Sequence, residues 1–166
     1  MRLSPAQQHR ARVLAALASA SAEPGHEVQS GAYELMLAQL VEHRRRLKDI
    51  QSIERKIEAK RAFLPDYEPW IAAALAEGKG AQDKVLMTLL VWHIDCGSFE
   101  RALQMADYAM KHQLELPDSY ERNLATVLLD EFGGAALSRN MEAGQAGAWL
   151  AHVVAQTREH DAPHQA

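Results

Sequence analysis

Two carboxylates and a lysine stand in an order that can serve a hard metal ion: Pro65-Asp66, ten residues, then Glu77-Gly78-Lys79. In a Pro-Asp…Glu-x-Lys site the two acids hold a divalent cation and the lysine supports the water it activates, which is the chemistry of phosphodiester hydrolysis. That chemistry needs adjacent strands to bring both acids to one ion. Residues 69–77 read instead as an Ala-rich helix carrying Trp70, Ile71 and Leu75. At ~1.5 Å per residue, a helix separates Asp66 from Glu77 by ~12–16 Å. Asp66, Glu77 and Lys79 are therefore the catalytic candidates of a metal-dependent endonuclease reading that the expected helix opposes.

Other chemistry is weaker. His93, Asp95 and Cys96 lie close in sequence, but on a helix this spacing fans their side chains over a wide arc instead of converging them on a metal. Gly78-Lys79-Gly80 is too short for a phosphate loop and lacks the following Ser or Thr. His160 and His164 read as solvated residues of the tail. The residues thus call for no cofactor and no metal.

The basic side chains carry a stronger signal. His43-Arg44-Arg45-Arg46-Leu47-Lys48 is followed by Arg55-Lys56 and Lys60-Arg61, with Arg2, Arg10 and Arg12 nearer the start. On one continuous helix Arg44, Arg45, Lys48, Arg55, Lys56 and Lys60 gather on a broad face that can meet backbone phosphates, with Arg10 and Arg12 assisting. The competing reading is a solvated helix surface on which Glu42, Asp49, Glu54 and Glu58 pair locally with these bases.

The elements that must position these residues are helices. Ser4-Pro5 has the Ncap and N1 pattern of a helix start, and an Ala-rich stretch with Val13, Leu14 and Leu17 on one stripe follows. Ser21, Pro24, Gly25, Ser30 and Gly31 mark residues 19–31 as a linker, free enough to let the first helix swing onto a duplex. Tyr33 to Ala62 lacks Gly and Pro. Its positions 33, 36, 40, 43, 47, 50, 54 and 57 step by threes and fours, a heptad seam that admits coiled-coil pairing. Pro65 and Pro69 are expected to close this helix. Gln82 to Asp95 reads as a buried helix ended by Gly97, and Ser98 to about Gln113 as another, with Pro117 at the next corner. Asp118 to Phe132, interrupted by Gly133-Gly134, and Glu142 to Thr157 complete the series, and Arg158 to Ala166 is expected to be disordered. The expected organisation is 1–31 as N-terminal helix and linker, 32–64 as the long basic helix, 65–157 as a helical domain and 158–166 as tail.

Composition agrees with an all-α chain. Of 166 residues 48% are apolar but only 6% aromatic, and Ala and Leu dominate over β-branched residues. One cysteine excludes an intramolecular disulfide and fits a reducing compartment. Nothing resembles a membrane span or a secretory leader, so an intracellular protein without a membrane role is expected. The net charge of −4 divides unevenly: residues 1–65 hold 11 Lys/Arg against 7 Asp/Glu, and residues 66–166 hold 7 against 15. The front half suits a polyanion and the back half a protein or solvent.

The stretch Gly97 to Ala109, with Ala102, Ala106 and Ala109, resembles the second helix of a tetratricopeptide unit, in which small residues let paired helices approach. Only one such unit is evident, so a helical hairpin is expected and not a repeat array. More of the chain resembles the small terminase subunit, also called the terminase endonuclease subunit or gpM, of Peduovirus-type temperate cohesive-end phages. The resemblance rests on Ser4-Pro5-Ala6-Gln7 with His9, Tyr33-Glu34-Leu35-Met36-Leu37, and Leu64-Pro65 with Pro69-Trp70. It continues in Gly78-Lys79-Gly80-Ala81-Gln82-Asp83, Leu86-Met87-Thr88, Trp92, Asp95-Cys96-Gly97, Ala102 to Ala109, and Leu114 to Pro117. It covers residues 4–122, after which members of the family have a longer helical part and a basic tail.

The resemblance implies binding of double-stranded phage DNA near the cohesive-end site in the host cytoplasm, assembly into a homo-oligomeric ring, and delivery of DNA to a large terminase subunit that carries the ATPase and nuclease. The rival expectations are a tetratricopeptide-like protein-interaction adaptor without DNA binding and the metal-dependent endonuclease above.

Overall fold

Short polar side chains write the helix starts. Ser4 accepts from the Gln7 amide while the Gln7 side chain accepts from the Ser4 amide, a reciprocal capping box with Pro5 in the first helical position. Ser30, Ser52 and Asp83 accept in the same way from the amides of Tyr33, Arg55 and Leu86. The computed structural model describes residues 4–117, 122–137 and 143–159. Among these the chain forms seven helices and no strand: α1 Pro5–Ser21, α2 Gly31–Lys48, α3 Ile53–Glu77, α4 Lys84–Asp95, α5 Phe99–Lys111, α6 Leu124–Leu137 and α7 Ala143–Thr157. The all-α expectation holds.

The stretch from Tyr33 to Ala62 is two helices and not one. α2 ends at Lys48, residues 49–52 turn the chain, and the Ser52 cap restarts it as α3. Pro65 and Pro69, expected to close a helix, lie inside α3, which continues to Glu77. Each proline removes one intrahelical donor at a cost of ~3 kcal/mol. Leu64, Tyr67, Trp70 and Ile71 are buried around them, and at ~1.5–3 kcal/mol for each large side chain that burial outweighs the two lost bonds. Likewise α6 runs through Gly133-Gly134 to Leu137. Two glycines cost ~1 kcal/mol each in a helix, while Leu124, Val127, Leu128 and Phe132 anchor it, Phe132 edge-on to Phe99 with ring centroids 5.2 Å apart.

The heptad positions are largely covered within the chain. Tyr33, Leu40, His43 and Leu47 are buried, Tyr33 stacked on Trp70 and His43 on Phe63 of α3, whereas Glu54 is exposed. α1 packs along α3. It does so through Ala15, Ala18 and Ser19, leaving Val13, Leu14 and Leu17, the stripe its sequence advertises, on the outside. Small residues allow the closer helix approach, so the Ala face wins the interior.

α4 and α5 form a hairpin closed by Gly97 in the left-handed region, at φ 74°. Ala102, Ala106 and Ala109 are completely buried along it. Of residues 19–31, read as a free linker, 19–21 belong to α1 and Gly31 to α2, and 22–30 between them are tied down. Val28 is buried and its amide donates to the Gln82 carbonyl at 3.0 Å. The Gln82 amide donates to His26 O at 2.8 Å, and Gly25 N to Gly80 O at 3.1 Å. Gly80, at φ 86°, lies so close to the His112 ring that a Cβ would collide with it. The C-terminal expectation for 158–166 falls mostly on residues 160–166, outside those described.

Candidate nucleic-acid interface

The turn at 49–52 reshapes the basic face. Had α2 and α3 been continuous, six cations would share one helical surface; instead they flank an elbow. Arg44 and Lys48 are exposed on the last two turns of α2, and Arg55 and Lys56 stand in the first turn of α3. Among the described residues, none of these four is in an ion pair. Arg45 is engaged: its guanidinium donates two bonds of 2.9 Å to Glu42, which also accepts from Arg46 at 3.1 Å. These guanidiniums hold the Glu42 carboxyl down at about 2. Lys60 is drawn away to Asp95 at the end of α4, with its ammonium 6.0 Å from the Trp92 ring centroid. The turn is therefore a corner with Arg44 and Lys48 on one side and Arg55 and Lys56 on the other, while Arg45 and Lys60 are engaged by local partners.

Arg10 and Arg12 are not part of that corner. Arg10 lines a groove of about 470 Å³ with Leu14, Leu35, Met36 and Asp66. Arg12 lines a cavity of about 700 Å³ with Arg61, Asp66, Glu68 and His93. Both sites lie beside the middle of α3, ~15 Å along its axis from Arg55.

The nuclease candidates stay apart. Asp66 and Glu77 occupy the same helix, eleven residues and so ~16 Å of rise from each other. Lys79 is exposed in the loop beyond it. No group of three or more His, Cys, Asp or Glu among the described residues is placed to hold a metal ion. Asp66→Ala and Glu77→Ala are accordingly expected to leave intact any DNA cleavage by an assembly containing this chain. Loss of cleavage in both, with folding and DNA binding unchanged, would restore the nuclease centre.

Behind the corner the packing is aromatic and titratable. His43 is stacked on Phe63 at 3.8 Å, and its Nδ1 is hydrogen-bonded to the Tyr67 hydroxyl at 2.8 Å. Burial, aided by Arg46, lowers its pKa. The Trp70 indole donates to Asp83 at 2.8 Å, while Asp83 caps α4. Its burial raises the carboxyl to about 6. His93 is buried with neither ring nitrogen hydrogen-bonded among the described residues, and burial lowers it to about 4. None of this network was read from the sequence; the one local sign was Asp83 preceding an apolar helix.

The two buried groups bias stability in opposite directions. His93 must stay neutral, so its contribution is complete above pH 6.5 and is lost as pH falls to about 4. Asp83 favours its protonated form, so its contribution is complete below pH 3.8 and is lost as pH rises through about 6. Replacing His93 with Leu leaves Asp83 unopposed. The variant's advantage over wild type in urea unfolding should be constant above pH 6.5 and grow by ~1.4 kcal/mol per pH unit towards pH 4. A difference that does not vary with pH would show that His93 finds a proton-accepting partner in solution.

Fold and surface together define a small all-helical protein with an aromatic interior and a basic elbow. The chain belongs to the phage small terminase subunit family, which matches residues 37–165. That match carries the likeness well past residue 122, where the resemblance read from individual residues ends. The chain is 40% identical over 134 residues to the terminase, endonuclease subunit of Escherichia phage P2, covering 81% of this chain and 54% of that protein. It is 29% identical over 77 residues to the probable terminase, endonuclease subunit of Haemophilus phage HP1 (strain HP1c1), covering 46% of this chain and 27% of that protein. It thus spans about half of the first of these relatives and about a quarter of the second. No solved structure matches it. Among the described residues no helix is long and apolar enough to cross a membrane.

Proposed function

We propose that this chain acts in phage DNA packaging: it binds viral double-stranded DNA near the cohesive-end site, self-assembles into a ring and presents the DNA to the large terminase subunit. Family membership supports the packaging role, and the observation that carries the DNA contact is the elbow, whose four cations keep no acidic partner among the described residues. Such cations release counterions when they meet phosphates, which gives sequence-independent affinity. Assembly has support in the exposed apolar stripe of α1 and in Leu35 on α2, which is 67% exposed, since stripes of this kind normally find partners. The host cytoplasm is the compartment this reading requires.

Both relatives are named for an endonuclease, which supports a second reading in which the chain takes part in cleavage. The separation of Asp66 from Glu77 gives that reading no centre here, and we assign the cutting of DNA to the large subunit.

Light-scattering mass measured with and without cohesive-end duplex tests assembly and binding together. An oligomer at micromolar concentration that gains the mass of DNA, and loses it as salt rises, is the expected result. A chain that stays at 18.4 kDa at every concentration, with or without DNA, would overturn the proposal.

A further inference from the structure

Ile53 is an aliphatic side chain with no interior to enter. It is the first residue of α3, directly after the Ser52 cap, and 75% of it is exposed. Lys48 precedes it across the turn, and Arg55 and Lys56 follow it. Residues 41–56 hold six Lys/Arg against three acids, Glu42, Asp49 and Glu54, and Glu42 is already occupied by Arg45 and Arg46. Two cations in the first turn of a helix oppose its dipole. Glu54 shares that turn, but neither cation is in an ion pair among the described residues, so an external anion is their natural counterpart.

Among the described residues the other exposed large apolar side chains lie on α1, at Leu35 and Val41 of α2, and on α6 and α7. Val41, 66% exposed, stands three residues before Arg44, whereas Ile53 is the exposed large apolar residue at the turn itself. One aliphatic side chain is too little surface to hold a protein partner. It is the size of the wedges that architectural proteins insert between base steps while flanking cations hold the phosphates on either side.

Building on the DNA-binding reading above, we propose that Ile53 is a wedge that enters a base step of the duplex gripped by Arg44, Lys48, Arg55 and Lys56, and kinks it. Pyrimidine–purine steps unstack most easily, so the wedge makes the chain favour duplexes that offer a TA or CA step, without a hydrogen bond to any base.

The test uses the full chain and duplexes of ~30 base pairs with a dye at each end and either a central TA step or none. Affinity is followed by anisotropy across salt, and end-to-end distance by energy transfer. Wild type should shorten the TA duplex by an amount corresponding to a kink of roughly 20–90°. Ile53→Ala should bind with an unchanged salt slope and leave the DNA straight, and Ile53→Leu should keep the kink. Straight DNA under bound wild type, an undiminished kink with Ile53→Ala, or a changed oligomer mass in that variant would each overturn the wedge. The last would make Ile53 a protein contact. Absence of any salt-dependent binding by wild type would remove the DNA-binding reading itself and the wedge with it, whereas binding without a kink removes the wedge alone.

Discussion

Replacing Arg44, Lys48, Arg55 and Lys56 together with Ala should lower the salt slope of duplex binding by about 3–4, since each phosphate contact contributes ~0.9 to log K against log salt. The loss should be alike for every sequence, because these side chains meet phosphates and not base edges. Arg45→Ala and Lys60→Ala are the informative contrast. Glu42 already accepts both bonds of the Arg45 guanidinium, and Asp95 already holds the Lys60 ammonium. Each of those substitutions should move the slope by well under one. Oligomer mass should not change in the fourfold variant, as none of its residues packs in the core. If the slope is untouched, or if Arg45 and Lys60 matter more than the other four, the DNA-contacting surface lies elsewhere and the corner is only a solvated end of two helices.

Trp70→Ala is expected to bring the chain to the edge of unfolding. Trp70 is 2% exposed, stacks on Tyr33 with ring centroids 5.7 Å apart, and donates its indole N–H to Asp83. The Tyr33 hydroxyl in turn accepts from the Lys84 amide at 3.0 Å, so one side chain joins α2, α3 and the start of α4. Truncating a buried tryptophan costs ~3–5 kcal/mol, against a total stability of ~5–15 kcal/mol for a domain. Here it also strips a buried carboxylate of a donor. Trp70→Phe keeps most of the ring and should cost only ~1–3 kcal/mol for the unmade bond. Urea unfolding of both variants separates the two contributions, and a Trp70→Ala chain within 1 kcal/mol of wild type would mean that the junction does not hold these helices together.

Local signals were legible where one side chain decides the outcome. Ser4-Pro5 fixes the start of α1 because its capping bonds are made within four residues, and Gly97, in the left-handed region, fixes the turn between α4 and α5, where the Ser98 side chain makes no capping bond. The prolines of α3 were misleading for the opposite reason. Their local penalty is real, but Tyr67, Trp70 and Ile71 sit on the buried side of the same turns and recover more than it costs. The elbow at 49–52 was hidden because Ser52 is a modest signal inside a strong helical period, and its cap counts only once Ile50 and Ile57 are drawn against the core. With the elbow unseen, the helical period puts the basic residues on one face; Glu42, three residues from Arg45, is legible as its local partner, whereas Asp95, the partner of Lys60, comes from another helix and carries no local sign. The Trp70–Asp83 pair joins residues thirteen apart on different elements, and apart from the place of Asp83 before an apolar helix nothing local marks it.

The bonds among Gly25, Val28, Gly80 and Gln82 give the region between α1 and α2 a mechanical role that its composition hides. Gln82 is anchored through its side chain as well, donating to the Glu115 carbonyl at 2.6 Å and accepting from the Glu115 amide at 2.9 Å. One residue therefore fastens the segment before α2 on one side and the segment after α5 on the other, like a rivet through two straps. In deuterium exchange, the amides of Val28 and Gln82 should report the opening of the whole domain and not of a loop, and their protection should fall together in any variant that loosens either strap. A protease that favours Gly- and Pro-rich stretches would then find 22–30 closed to it for as long as the helices hold. With Gly25 fastened, only residues 22–24 lie between the end of α1 and the rivet, so α1, packed along α3, is kept on a short tether and meets any partner in an assembly from beside the body of the protein.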